Sequence, residues 1–211
     1  MKYLLLLLLS LPSQASETRQ IIALIDSGLN HSAYINPYLC ETGHRDFTQT
    51  SLVDRLGHGT EVAKIISKYI NPKKSCLLIV KWIDKKYDSE SYSYYNALKY
   101  TANYKEAAII NMSLEGTGSI DDEKEVILNA VNKDKTFVIA AGNNNLDLNI
   151  NCDVYPACHF YSTKNIFVVG CGQNGKSNYN GPVNSVVKNT TYTSWATAHK
   201  TGKLARKMEK Q

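Results

Sequence analysis

Residues 21–28 read Ile-Ile-Ala-Leu-Ile-Asp-Ser-Gly, an apolar run that ends in an aspartate and a turn signal. Five consecutive apolar residues of this kind predict a β-strand that is buried on both faces. A buried carboxylate is costly unless it is paired or hydrogen-bonded. Asp26, at the end of the strand, is therefore either a simple turn residue or a group with a bonding partner elsewhere in the fold.

Similar apolar runs recur along the chain and alternate with segments of helical periodicity. Strands are predicted over residues 21–26, 77–82, 107–112, 137–141 and 166–170, and helices over residues 60–69, 92–104, 121–133 and 196–208. Strands that are apolar on both faces, with helices between them, are typical of a sheet covered on both sides. The pattern predicts an α/β fold, a three-layer sandwich in which helices flank a mainly parallel central sheet.

Conspicuous polar residues stand where the predicted strands end. Asp26 is the last residue of one such strand, and Asn143 follows another by two residues. Asn111 and Ser113 lie at the end of a third. Ligands of open α/β sheets bind outside the carboxyl ends of the strands. These four residues therefore mark the candidate functional edge of the sheet.

The composition is that of one ordinary globular domain with an export signal. The chain has 211 residues, 43% of them hydrophobic and 20% charged. The net charge of +5 is mild and spread along the chain, which argues against nucleic-acid binding. Lys2, an apolar run and Ser-Gln-Ala at 13–15 predict a signal peptide over residues 1–15. Residues 16–211 are then expected to form a secreted or periplasmic domain, with no later segment apolar enough to cross a membrane.

Two further motifs accompany Asp26. His58 lies in Gly-His-Gly-Thr at 57–60, directly before a helix, and Ser194 opens the last helix. Alone, such a histidine is more often structural, and a serine at a helix start is ordinarily a cap. Together, the three residues supply the carboxylate, base and nucleophile that make a serine reactive.

These motifs resemble those of the subtilisin-type serine peptidases, the subtilases, which share the chain order Asp, His, Ser. Ile-Asp-Ser-Gly at 25–28 and Gly-His-Gly-Thr at 57–60 are similar to the family's aspartate and histidine motifs, and residues 193–202 to its serine motif. Residues 110–114 resemble the strand that lines the family's substrate cleft, and residues 140–143 the segment that supplies the oxyanion-hole asparagine. The five blocks occur in the family's order.

The resemblance implies a secreted serine endopeptidase with Asp26, His58 and Ser194 as its triad. In that reading Ser194 attacks the scissile carbonyl, His58 acts as general base and Asp26 orients His58. One alternative is a non-catalytic or weakly active protein of the same fold that binds peptides or a partner protein. Another is acyl transfer to a different acceptor, as in a serine esterase or peptide ligase.

The resemblance also implies how a substrate is held. Asn143 would donate to the oxyanion, unless it is only a turn residue, and Ser113, Leu114 and Glu115 would line the substrate cleft. Glu115 stands where subtilases usually carry glycine, in the wall of the first specificity pocket. A carboxylate there could attract a basic substrate side chain, whereas the alternative is a solvated loop glutamate.

The sequence departs from the family at several positions. Tyr192 replaces the usual glycine two residues before the serine and could crowd the nucleophile turn or the substrate. Trp195 replaces the usual methionine and Ala198 the usual proline. We also expect a compact member that is short at its C-terminus, has no pro-domain and has a shortened loop over residues 172–191.

Five cysteines follow the predicted signal peptide. Export favours disulfides, and a loop that turns at a proline could join Cys152 to Cys158. In a subtilisin-like sheet, Cys40 and Cys76 would lie at one edge, just before their strands start, which leaves Cys171 as the free thiol. The spacing matches no zinc pattern, so we expect no metal or other cofactor. The expected partner is a protein or peptide substrate of a monomeric enzyme that, once the signal is cleaved, binds no membrane.

Overall fold

The apolar run at the start of the predicted domain forms strand β1, Gln20–Asp26, in the interior of a sheet. The computed structural model describes residues 19–85, 91–172 and 176–211, so the predicted signal peptide lies outside the described residues. The other strands are β2 (Arg45–Asp46), β3 (Ser75–Lys81), β4 (Ala107–Met112), β5 (Thr136–Ala140), β6 (Ile166–Cys171) and β7 (Ser185–Val187). The α-helices are α1 (His58–Ser67), α2 (Ser91–Asn103), α3 (Glu123–Val131) and α4 (Thr193–Met208).

The seven described strands form one sheet in the order β2-β3-β1-β4-β5-β6-β7, and neighbouring strands run parallel throughout. Because the strands are parallel, the carboxyl ends of all seven lie along one edge of the sheet. The predicted α/β sandwich with a parallel central sheet is confirmed.

The side chains of β1 show how the two outer layers are held. Ile22 and Leu24 pack into the apolar cluster that also contains buried residues of α1 and α4. Ile21, Ala23 and Ile25 face the opposite way, into the cluster that contains buried residues of α2 and α3. Because successive residues of a strand point to opposite faces, one uninterrupted apolar run serves both cores.

Two short strands, β2 and β7, were not predicted. They contain two and three residues, at the two outer positions of the sheet. Runs this short carry too few apolar residues to stand out in the sequence. The segment over 172–191, expected to be a shortened loop, contains β7 in its described part.

The structure brings the cysteines together as the sequence suggests. Cys40 and Cys76 lie at disulfide-bonding distance, with their Cα atoms 4.9 Å apart, and so do Cys152 and Cys158, at 5.6 Å. Cys76 is the second residue of β3 rather than a residue before it. Cys171 ends β6, is buried and has no disulfide partner among the described residues.

The described ranges contain no cluster of three or more acidic, histidine or cysteine side chains that could hold a metal ion. Within the same ranges, every helix is too short or too polar to cross a bilayer.

Candidate active site

Asp26 ends β1 and His58 begins α1, and the two side chains meet at the carboxyl edge of the sheet. Nδ1 of His58 lies 2.8 Å from Oδ1 of Asp26. Helix α1 can approach this closely because residue 59 is glycine: a Cβ there would collide with the carbonyl oxygen of Gly28 and press on the Asp26 side chain. The Gly-His-Gly motif therefore positions the imidazole against the carboxylate.

The charge environment of His58 favours its protonated form. Burial of the imidazole lowers its pKa, but the Asp26 carboxylate raises it through both charge and hydrogen bond, and the charge of Asp54 raises it further. The net result is a His58 pKa above its ordinary value. Such a shift suits a base that must accept a proton during a reaction.

Asp54, which lies outside the predicted catalytic motifs, holds the turn that leads into His58. Its Oδ1 accepts from the Ser27 hydroxyl at 2.7 Å and from the backbone N–H groups of Leu56 and Gly57 at 3.1 and 2.8 Å. Its Oδ2 accepts from the backbone N–H of Thr60 at 2.8 Å and from its hydroxyl at 2.7 Å. Burial raises the pKa of Asp54, yet these hydrogen bonds outweigh that effect and leave the pKa lowered. Asp54 is thus an ionised anchor beneath the His58 turn.

A buried ion pair supports the same loop from the other side. Lys81, fully buried at the end of β3, donates to the Asp84 carboxylate and, at 2.7 Å, to the carbonyl oxygen of Val53. Arg55 also donates to Asp84, at 2.7 Å. The hydrogen bond from Lys81, helped by that from Arg55, lowers the pKa of Asp84 to about 2 despite its burial. These contacts fix residues on both sides of Asp54.

Ser194 lies in the first turn of α4, largely buried. Its Oγ donates to the carbonyl oxygen of Ser113 at 3.2 Å, and the Ser113 hydroxyl donates to the Ser194 carbonyl at 3.1 Å. Among the described residues, no hydrogen bond joins Ser194 Oγ to His58. The next residue, Trp195, stacks on the His58 ring, with ring centroids 5.3 Å apart and planes 27° apart. The start of α4 therefore lies against the imidazole, with the serine hydroxyl turned toward β4.

Asn143 follows β5 and faces both α4 and the segment after β4. Its Oδ1 accepts from the backbone N–H of Thr193 at 2.8 Å and from the Thr193 hydroxyl at 3.1 Å. Its Nδ2 donates to Oε1 of Glu115 at 3.4 Å, and its backbone N–H donates to Oε2 at 3.2 Å. The side-chain and backbone N–H donors of Asn143 thus both face the Glu115 carboxylate.

The predicted substrate segment borders a cavity of about 340 Å³. Its larger side chains are Trp82, Tyr94, Leu114, Ile120, Glu123 and Tyr155. Two of the three predicted substrate residues, Leu114 and Glu115, line this cavity. The side chain of the third, Ser113, is buried and bonds to other protein groups. Buried Glu123 accepts from the Tyr94 hydroxyl and lies 2.8 Å from Nε2 of His159. Burial raises the pKa of Glu123. The cavity therefore combines mostly apolar walls with two carboxyl groups, those of Glu115 and Glu123.

Tyr192, expected to crowd the serine turn, is the N-cap residue of α4 and has φ −122° and ψ 144°. This extended conformation is open to any residue, so the backbone does not require the family's usual glycine. The Tyr192 side chain is 42% exposed. It therefore lies largely at the surface of the protein.

Comparison with known proteins relates the chain to one family and to a set of solved structures. The model of the subtilase family matches residues 17–175, a range that contains Asp26, His58 and Asn143 and ends before Ser194. No curated protein sequence matches the chain.

Solved structures of similar fold include several proteases. A cold-adapted subtilisin-like serine proteinase superposes with a TM-score of 0.74 at 21% identity, covering 92% of this chain and 77% of that one. The epidermin leader peptide processing serine protease from Staphylococcus aureus gives 0.70 at 18% identity, over 92% and 66% of the two chains. The nisin leader peptidase from Lactococcus lactis gives 0.68 at 18% identity, over 92% and 78%. At these identities the likeness establishes a shared fold.

Proposed function

Because the chain belongs to the subtilase family and is a serine endopeptidase, we propose that it hydrolyses peptide bonds with Asp26, His58 and Ser194 as its catalytic triad. The observation that carries this proposal is the 2.8 Å contact between His58 and Asp26, beside the helix that carries Ser194. A serine hydroxyl becomes nucleophilic only when a base takes its proton, and that base needs a carboxylate to fix its orientation.

The proposed reaction proceeds in two halves. Ser194 Oγ turns from the Ser113 carbonyl, bonds to the scissile carbonyl carbon, and gives its proton to Nε2 of His58. The carbon–nitrogen bond then breaks as His58 returns that proton to the leaving amine, which leaves an acyl group on Ser194. A water molecule, activated by His58, attacks this ester and releases the second product. Asp26 stays ionised and stabilises the imidazolium in both halves.

Charge on the tetrahedral oxygen is held by the side-chain amide of Asn143 and the backbone N–H of Ser194. Two features support this assignment. The contact with Thr193 fixes which end of the Asn143 amide faces the cleft, and N–H groups in the first turn of a helix have no intrahelical partner. Loss of one such donor typically costs about 2.7–4 kcal/mol of transition-state stabilisation.

The substrate is a protein or peptide. We propose that it lies along Ser113, Leu114 and Glu115, beside the cavity that Leu114 and Glu115 line. No cofactor takes part. The enzyme works as a monomer that binds neither nucleic acid nor a membrane, and the signal at residues 1–15 exports it. The close pairs Cys40–Cys76 and Cys152–Cys158 support an oxidising, extracytoplasmic location.

Hydrolysis of a quenched fluorescent peptide library by the purified exported protein tests the proposal. Wild-type protein should cleave internal peptide bonds. The Ser194→Ala variant, with an unchanged circular dichroism spectrum, should not. Retained cleavage by Ser194→Ala would disprove the assignment.

A further inference from the structure

The contact between Glu115 and Asn143 places an anion on the donors that the proposed mechanism needs. Both carboxylate oxygens take part, one on the backbone N–H of Asn143 at 3.2 Å and one on its Nδ2 at 3.4 Å. Glu115 itself lies in an exposed loop directly after the cleft strand. Its side chain therefore has room to leave Asn143 and turn into the cleft.

The protein is shaped to accept this carboxylate. The Asn143 side chain cannot simply rotate away, because its Oδ1 is held by Thr193. The preceding residue is Gly142, with φ +93°, and a Cβ at that position would collide with the Glu115 carboxylate. The fixed amide of Asn143 and the absence of a side chain at Gly142 together leave room for an anion beside Asn143.

We propose that Glu115 is a charge-sensing specificity residue that couples the charge of the substrate side chain before the scissile bond to the assembly of the oxyanion site. This inference rests on the proposed function, because it takes Asn143 as the oxyanion donor. In the structure, Glu115 occupies that donor. A lysine or arginine side chain in the cleft offers the carboxylate a cationic partner and draws it off Asn143.

The physical reason is competition between two anions for one donor. The oxyanion cannot bond to Asn143 while the carboxylate does, and two negative charges at this separation repel each other. A substrate with a neutral side chain must displace Glu115 with no compensating ion pair. A substrate with an acidic side chain repels it as well. The enzyme thus selects peptides with Lys or Arg before the scissile bond.

The idea differs in one respect from a simple acidic specificity pocket. If Glu115 only attracted cations, its removal would weaken cleavage after lysine and leave neutral substrates unaffected. If it also occupies Asn143, its removal should improve cleavage of neutral substrates. The direction of change for a neutral substrate is therefore the decisive readout.

Two peptides that differ only in lysine or norleucine before the scissile bond provide that readout. Glu115→Ala and Glu115→Gln should raise kcat/KM for the norleucine peptide by about two- to fivefold, the range of an exposed charge interaction. Both variants should lower kcat/KM for the lysine peptide. Glu125→Gln, which removes an equal charge from the exposed face of α3, should change neither. An unchanged or reduced kcat/KM for the norleucine peptide in both Glu115 variants would overturn the proposal.

Binding to the Ser194→Ala protein tests the same idea without hydrolysis. Calorimetry should give a lower Kd for the lysine peptide than for the norleucine peptide, and the difference should vanish in Ser194→Ala/Glu115→Ala. Equal Kd values in Ser194→Ala contradict the role of Glu115 whether or not the wild-type protein cleaves peptides. Loss of the proposed function alone would appear instead as absent hydrolysis with the binding preference intact.

Discussion

The two halves of the candidate active site differ in what their polar side chains bond to. On the side of β1 and α1, His58 contacts Asp26, and the turn before it is fastened by Asp54. On the side of β4, β5 and α4, the Ser194 hydroxyl bonds to a backbone carbonyl, and the donors of Asn143 bond to Glu115. The proposed base is thus already paired with its carboxylate, whereas the proposed nucleophile and oxyanion donor bond to other groups of the protein.

This difference indicates which contacts of the proposed site would change when a substrate binds. Hydrogen bonds around a catalytic base are costly to rebuild in each cycle, so a pre-formed Asp26–His58 pair lowers the reorganisation that the reaction requires. In the proposed mechanism, a substrate must replace the internal contacts of Ser194 and Asn143 in the second half. The active site should therefore respond differently to mutations in the two halves.

The largest effect is expected where both halves meet, at Ser194 and His58. Because nucleophile and base act as a unit, Ser194→Ala and His58→Ala should each lower kcat by about a millionfold, and Asp26→Ala by about ten-thousandfold. Steady-state hydrolysis of a peptide substrate measures the loss of kcat in each of the three variants. Ser119→Ala, on the exposed loop after β4, is the matched control and should keep full activity. If Ser194→Ala and His58→Ala lower kcat by clearly different factors, Ser194 and His58 do not act as a unit.

A smaller effect is expected from the second half alone. Asn143→Ala removes a donor that acts only as charge develops, so kcat should fall by about a hundred- to a thousandfold with little change in KM. Asn144→Ala alters the exposed neighbouring side chain and should be near neutral. If Asn143→Ala instead raises KM and leaves kcat unchanged, Asn143 binds the substrate rather than the transition state.

In the first half, Asp54→Asn should act through His58. The charge of Asp54 helps to raise the His58 pKa, and only neutral His58 accepts a proton. Removing that charge lowers the pKa, so the acid limb of kcat/KM should move to lower pH, together with an approximately tenfold loss of activity. Glu61→Gln, on the exposed side of α1, should leave the profile in place. A lower rate with an unmoved acid limb would reduce Asp54 to a structural role.

The smallest effect on catalysis, and a clear one on stability, is expected at Asp84. Its folded-state pKa of about 2 lies below the ordinary value of 3.8. The stability that it contributes is therefore present at neutral pH and is lost as pH falls from about 4 toward 2. Asp84→Asn should lower the free energy of unfolding at neutral pH, because Lys81 loses its buried partner. Urea titrations should show that the difference in free energy of unfolding between Asp84→Asn and wild type narrows as pH falls through this range. Asp121→Asn, which changes an exposed residue, should have the wild-type free energy of unfolding at every pH.

Much of the scaffold, but less of the site, could be predicted from the sequence. Apolar runs revealed β1, β3, β4, β5 and β6 because each is buried on both faces. Edge strands β2 and β7 gave no such signal. Asp54 could have been found, since an aspartate three residues before a glycine often accepts backbone hydrogen bonds in a turn. No local pattern, however, reveals that the side chain of Glu115 turns toward Asn143, because that choice depends on two segments far apart in the chain.

Reaction with a fluorophosphonate tests the proposed triad most directly, since such a probe bonds only to a serine that a neighbouring base activates. Intact mass and peptide mapping of the wild-type protein should show one adduct, on Ser194. Ser194→Ala and His58→Ala should show none, while Ser119→Ala should label as wild type does. A folded wild-type protein that remains unlabelled on Ser194 would contradict the triad and point to a subtilase fold that binds peptides without cleaving them.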